Sequence, residues 1–245
     1  MKNCSLCLVI LPLLIVSCTA DTIDTTAGSN TKVSNNKLEK STRLVQKATP
    51  ENPENVYDIA GKLHNEILDI YLTGNYHYTT IVQISEQVEA IATKTSDSRL
   101  LDLKTNLPIS IEELEEIVNK PEAELDEAIA NSSMTSAAKR SLCGFMNAVV
   151  LWKNDEYAKI YQSIISYESS VMTNPQFSSE DKRIILTASS ITRYSLYDDT
   201  GRRDKDWEAS VGNLVGGVKG AFDQSSRAVK MALIIGISQN NHIRD

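Results

Sequence analysis

Between Val56 and Ile237 the apolar residues return every three or four positions, and no stretch alternates apolar with polar strongly enough to suggest a strand. A chain patterned at that period buries its apolar side chains by packing helix on helix. The predicted fold is therefore all-α, an antiparallel bundle of about seven or eight helices over residues 56–245. The first covers 57–72, where Val56, Ile59, Leu63, Ile67 and Ile70 make one stripe beside Gly61, His64, Leu68 and Tyr71. The second carries Ile81, Ile84, Val88 and Ile91. Ser110 with Glu113 has capping-box spacing ahead of a short helix, and Pro121 suits the first turn of the next. Three stronger helices follow between Thr135 and Ser195 and are expected to form the centre of the bundle. The last begins at Trp207 and is expected to break near 223–226.

The N-terminus follows other rules. Lys2 gives a short positive start, residues 6–16 are almost wholly apolar, and Ile15-Val16-Ser17-Cys18 closes the run with small residues before a cysteine. An apolar run of about eleven residues falls well short of the roughly 20 needed to span a bilayer, so residues 1–17 read as a cleavable export signal. The ending resembles a bacterial lipobox. That resemblance implies diacylglycerol on Cys18, a mature chain that starts there, and contact with a membrane through the lipid. Thr19, rather than an aspartate, follows the cysteine, which leans toward the outer membrane over the inner. Residues 19–55 contain 15 Ser, Thr and Asn among 37 and show no hydrophobic period, so 18–55 is expected to be a lipidated, disordered tether. As a flexible coil it would span about 30–35 Å.

Removing the signal leaves 24 basic against 32 acidic side chains, a net charge of −8. That balance argues against nucleic acid as a partner, because a phosphate backbone is held by clustered Lys and Arg. With Cys4 and Cys7 lost and Cys18 lipidated, Cys143 alone remains, so no intrachain disulfide is expected and the fold rests on its apolar core. Cys143, set among apolar neighbours, reads as a small hydrophobe.

The run Tyr57-Asp58-Ile59-Ala60-Gly61-Lys62-Leu63-His64-Asn65-Glu66-Ile67-Leu68 resembles a Y-D-x-x-G-x-x-H-N-x-x-L motif of uncharacterised exported proteins of Bacteroidota. The resemblance carries no activity with it. It marks Tyr57, Asp58, Gly61, His64 and Asn65 as a ligand or packing site. His64, on an apolar stripe one turn after a glycine, reads as a buried residue hydrogen-bonded to a neighbour. The other histidines, His77 and His242, have neither H-E-x-x-H nor paired-cysteine spacing, and no phosphate loop is present, so neither metal nor cofactor is expected.

Three further features remain. Residues 109–127 carry eight acids against Lys120 alone, a set that reads as the solvated face left once the apolar positions are removed. The loop Asp198 to Asp206 lacks the glutamate that a calcium-binding EF-hand needs at its twelfth position and reads as a solvated turn. Gly212, Gly216 and Gly220 recur every four residues, although each glycine costs a helix about 1 kcal/mol relative to alanine. A ridge of small residues lets two helix backbones approach closely. Three functions fit the chain. The leading one is a non-enzymatic envelope lipoprotein that binds or scaffolds an envelope protein partner. The second is an envelope hydrolase using carboxylates with His64, which a cleft joining them would favour. The third is a membrane-perturbing protein acting through its glycine-ridged C-terminus, which an exposed ridge would favour.

Overall fold

The helical period becomes nine α-helices, with no strand, among the described residues. The computed structural model describes residues 49–74, 76, 78–95, 109–152, 155–197 and 207–242, excepting the side chains of 207–210 and 241–242. The export signal, Cys18, residues 18–48 of the expected tether, His77, the His242 side chain and the loop 198–206 lie outside the described residues. The helices are α1 (Asp58–Thr73), α2 (Ile81–Lys94), α3 (Ile111–Asn119), α4 (Pro121–Asn131), α5 (Ser136–Leu151), α6 (Tyr157–Thr173), α7 (Ser179–Ser195), α8 (Trp207–Ala221) and α9 (Ser225–His242). The expected final helix is thus a pair, parted at residues 222–224.

Side chains satisfy the open amides at several helix starts. Thr80, Ser110 and Thr135 accept from the third residue on, at Gln83, Glu113 and Ala138. Ser178 and Asp181 form a reciprocated capping box on α7. The box expected at Ser110 is not closed in this way, because the Glu113 carboxylate pairs with Arg227 of α9. Asp181 also accepts from the backbone N–H of Thr135 (3.0 Å) and from its hydroxyl (2.9 Å), so one carboxylate joins the starts of α5 and α7.

The centre of the bundle is α7, α8 and α9. α7 is buried from Ile184 to Tyr194, α8 from Gly212 to Val218, and α9 from Ala228 to Ser238. A helix enclosed on every side belongs inside the core, whereas α1 to α6 bury one stripe each and cover it. Of the three helices expected at the centre, only α7 is there. α5 buries Ala138, Leu142, Phe145 and Val149, and α6 buries Ile160, Ile164, Glu168 and Val171, each with polar residues outward. They meet where Phe145 stacks on Tyr167, ring centroids 4.5 Å apart. Contacts pair α6 with α7, α7 with α8, and α8 with α9 in opposite directions. α1 runs along α7 in the same direction, with Asn55 at Leu186, Asp58 at Ser190 and Asn65 at Tyr194.

Residues 50–55, placed in the tether by their composition, are instead seated on α6 and α7. Asn52 and Asn55 are buried; Asn55 Nδ2 donates to the Leu186 carbonyl (3.0 Å), and Tyr161 OH donates to the Glu51 carbonyl (2.9 Å). Hydrogen bonds donated by two asparagine amides and accepted by a main-chain carbonyl hold this segment, so it leaves no hydrophobic period to read.

Candidate functional site

The residues of the α1 motif converge on one face of α7. Tyr57 stands at the helix start, where its backbone N–H donates to Asn55 Oδ1 (2.9 Å) and its ring packs half-buried on the core. Asp58 Oδ1 pairs with the Arg193 guanidinium, Asp58 Oδ2 accepts from Tyr194 OH (3.1 Å), and the Asp58 carbonyl accepts from Ser190 Oγ (2.9 Å). The N–H of Gly61 donates to Ser190 Oγ (3.1 Å). A Cβ on Gly61 would lie 2.4 Å from Tyr194 and 2.5 Å from the Ser190 carbonyl, so only glycine admits α7 at this distance. Asn65 Nδ2 donates to the Tyr194 carbonyl (3.0 Å). The spacing Asp58, Gly61 and Asn65 is what brings one helix face against Ser190 and Tyr194.

Arg193 is the centre of this contact and is fully buried. Its Nη2 donates to Asp58 and, at 3.3 Å, to Glu168 Oε1 of α6, while its Nε and Nη1 have no hydrogen-bond partner. Glu168, also fully buried, accepts from Ser189 Oγ (2.8 Å) on one oxygen and from Asn52 Nδ2 (2.5 Å) on the other. Burial lowers the affinity of Arg193 for its proton, but Glu168 and Asp58 more than offset this and its pKa is raised. The Arg193 charge lies 5.5 Å from the centroid of the Tyr194 ring, within cation–π range. Tyr157 OH donates to the Arg193 carbonyl (3.2 Å), and burial raises the pKa of that phenol. One cation thereby joins α1, α6 and α7, and residues 50–55 close over it.

His64 sits apart from these carboxylates. It is fully buried, Nδ1 lies 3.1 Å from Asn65 Oδ1, and Nε2 has no hydrogen-bond partner. Burial lowers its pKa, against the opposing influence of the Asn65 and Asn213 side chains. Its polar neighbours are amides, so the ring is not set as a general base beside an acid.

The glycine ridge lies inside the bundle. A Cβ on Gly216 would come within 2.6 Å of the Met231 carbonyl oxygen, and one on Gly220 within 2.6 Å of Ala228 Cα. One on Gly212 would strike Gln239 at 2.0 Å. Gly236 reciprocates from α9, with Asn213 lying over it. The backbones of α8 and α9 therefore touch at Gly216 and Gly220, while Gly212 makes room for the Gln239 side chain.

The acidic stretch divides between two faces. Glu113 pairs with Arg227 and Glu124 with Lys219, while Glu112, Glu115, Glu116, Glu122, Asp126 and Glu127 are exposed. Lys230 of α9 pairs likewise with Glu89 of α2.

Sequence reasoning missed Arg193, Glu168, Ser189 and Asn52. Glu168 had a readable signal, since it occupies the α6 stripe between Ile164 and Val171, where a charge needs a buried partner. Arg193 had one only once α7 is known to be buried on every side. Among the described residues no group of three or more His, Cys, Asp or Glu is placed to hold a metal ion, and no helix is long and apolar enough to cross a membrane. Compared with known protein families, curated proteins and solved structures, the chain matches none.

Proposed function

We propose that the chain is a cell-envelope lipoprotein, anchored through Cys18 in the outer membrane, that binds or scaffolds an envelope protein partner rather than catalysing a reaction. One observation carries this reading. The groups best suited to chemistry, Asp58, His64, Glu168, Ser189 and Arg193, face inward and are spent mainly on one another or on neighbouring amides. A substrate would have to part α1 from α7, or lift residues 50–55, to reach them. The hydrolase reading loses support because amides, not carboxylates, lie beside His64. The membrane-perturbing reading loses support because the ridge of Gly212, Gly216 and Gly220 is occupied by α9.

The test uses the lipidated chain in its own envelope, with a photo-crosslinking residue at exposed Glu116 or Leu151. A discrete adduct that requires Cys18, and that disappears in Cys18→Ser, is the expected result. Release of soluble fragments from isolated envelope polymers by the purified chain, lost in His64→Ala, would overturn the reading in favour of a hydrolase.

A further inference from the structure

We propose that residues 50–55 are a built-in ligand, closing a polar groove between α6, α7 and the start of α1, and that a partner segment with the same asparagine-fixed turn can take their place. The inference deepens the binding reading above by naming where a partner segment enters.

The contacts support a releasable occupant. The segment, Pro50, Glu51, Asn52, Pro53, Glu54 and Asn55, buries a single apolar side chain, Pro50, beside Asn52 and Asn55, while Glu51, Pro53 and Glu54 are exposed. Its hold on the helices comes through Asn52 to Glu168, Asn55 to the Leu186 carbonyl, and Tyr161 to the Glu51 carbonyl. Each of these can be exchanged for water or for a like group, whereas a segment held by an apolar stripe would expose hydrocarbon on leaving. The segment is also pre-shaped. Asn52 Oδ1 accepts from the N–H of Glu54 (3.2 Å) and Asn55 Oδ1 from the N–H of Tyr57 (2.9 Å), so each asparagine fixes a turn with its oxygen and reaches the groove with its nitrogen.

The groove beneath is built for polar recognition. Removing Asn52 would free one oxygen of Glu168, whose other oxygen stays with Ser189 and Arg193. The Nε and Nη1 of Arg193, buried without partners, are further donors in the same centre. A carboxamide suits the Glu168 side of this centre because its nitrogen donates to the carboxylate, while the Asn52 oxygen accepts from Glu54 and leaves Arg193 Nε and Nη1 unpartnered. A carboxylate in its place would meet Glu168 with like charge.

The experiment uses the full chain carrying Cys18→Ser, with and without Asn52→Asp, and a fluorescent peptide of residues 49–57. Asn52→Asp sets a second carboxylate against Glu168 and should lift the segment. Cleavage after Glu51 and Glu54 by a glutamate-specific protease should rise tenfold or more while the helical signal is kept. The labelled peptide should then bind the Asn52→Asp chain saturably and at least tenfold more tightly than the parent chain, and a peptide with alanine for Asn52 should not bind. Asn52→Ala, which removes the contact without adding charge, serves as the second opened chain if Asn52→Asp unfolds. Equal binding to opened and parent chains, no binding to either opened chain, or loss of all helical structure in both would overturn the proposal. Failure here leaves the crosslinking result untouched, so the groove and the binding function can fail separately.

Discussion

Gly216 and Gly217 are neighbours on α8, and the structure assigns alanine opposite effects at the two positions. At Gly216 the new Cβ would lie 2.6 Å from the Met231 oxygen, 2.8 Å from its carbonyl carbon and 2.9 Å from Ala232 Cα, where ordinary contact begins near 3.4 Å. All three are backbone atoms of α9, so relief requires the two helices to separate rather than one side chain to turn. Overpacking of this kind costs about 2–3 kcal/mol, from which the better helix propensity of alanine returns about 1, leaving a loss of about 1–2 kcal/mol. At Gly217 the nearest atom is Ile191 Cδ1 at 3.6 Å, an ordinary contact, so propensity alone acts and stability should rise by about 0.5–1 kcal/mol. For a domain of this size each kcal/mol moves the midpoint by about 2–4 °C. Thermal melts of the two variants should therefore fall on either side of the parent, Gly216→Ala about 2–8 °C below and Gly217→Ala about 1–4 °C above. A Gly216→Ala protein melting at or above the parent would refute the reading of the ridge as backbone contact.

Removing the buried cation should be costlier than removing the pair. Arg193→Met leaves Glu168 charged and buried and should cost about 3–5 kcal/mol, while Arg193→Met with Glu168→Leu should recover part of that in urea titration; equal losses would count against the ion pair. Asp181 is pulled upward by burial, but hydrogen bonds from Ser178 and Thr135 outweigh this and hold its carboxyl below the usual 3.8. Its stabilisation is therefore complete above that value and lost as pH falls through the lower folded value. Asp181→Asn should weaken the fold at pH 7 and flatten the acid limb of stability against pH, and an unchanged limb would contradict the double cap. His64 has the same sense in a higher pH window: its folded pKa lies below 6.5 because burial disfavours the charged ring, so stability is complete above pH 6.5 and declines below it. The decline should be about 1.4 kcal/mol per pH unit until the folded value is reached, and melts of His64→Gln between pH 7 and 5 should lack that component.

The helices were legible because each cover helix buries a narrow stripe, and a stripe at helical period is a pattern that sequence carries directly. Leu63 and Ile67 on α1, or Leu114 and Ile117 on α3, are buried for the reason their spacing suggests. The centre was harder to read. α7 carries Thr187, Ser189, Ser190, Thr192 and Arg193 into the interior, which lowers its apparent hydrophobicity, although its hydroxyls are satisfied by Ser225, Glu168, Asp58 and its own carbonyls. A polar residue whose partner is far along the chain looks like a surface residue until the partner is placed. The same holds for Asn52, whose partner Glu168 is 116 residues away. Gly61 and His64 stood out because a glycine and a histidine on an apolar stripe both ask for an explanation.

The acids of α3 and α4 show what local spacing omits. Glu113 and Glu124 sit among exposed neighbours of the same type, yet they turn toward Arg227 and Lys219, and Glu89 turns toward Lys230. The three cations of the buried hairpin thereby each face a different cover helix. The apolar stripes of α2, α3 and α4 supply burial but are similar in kind, whereas the ion pairs distinguish one helix from another and fix its register. Partly exposed pairs contribute about 0–1 kcal/mol each, so their effect should show in coupling rather than in total stability. Lys219 and Glu124 are the cleanest test, with side chains 17% and 20% exposed. Lys219→Glu and Glu124→Lys should each destabilise the domain, and the double exchange should regain about 0.5–1 kcal/mol relative to the sum of the two in a double-mutant cycle. A double exchange no better than that sum would mean that the apolar stripes alone place α4 on α8.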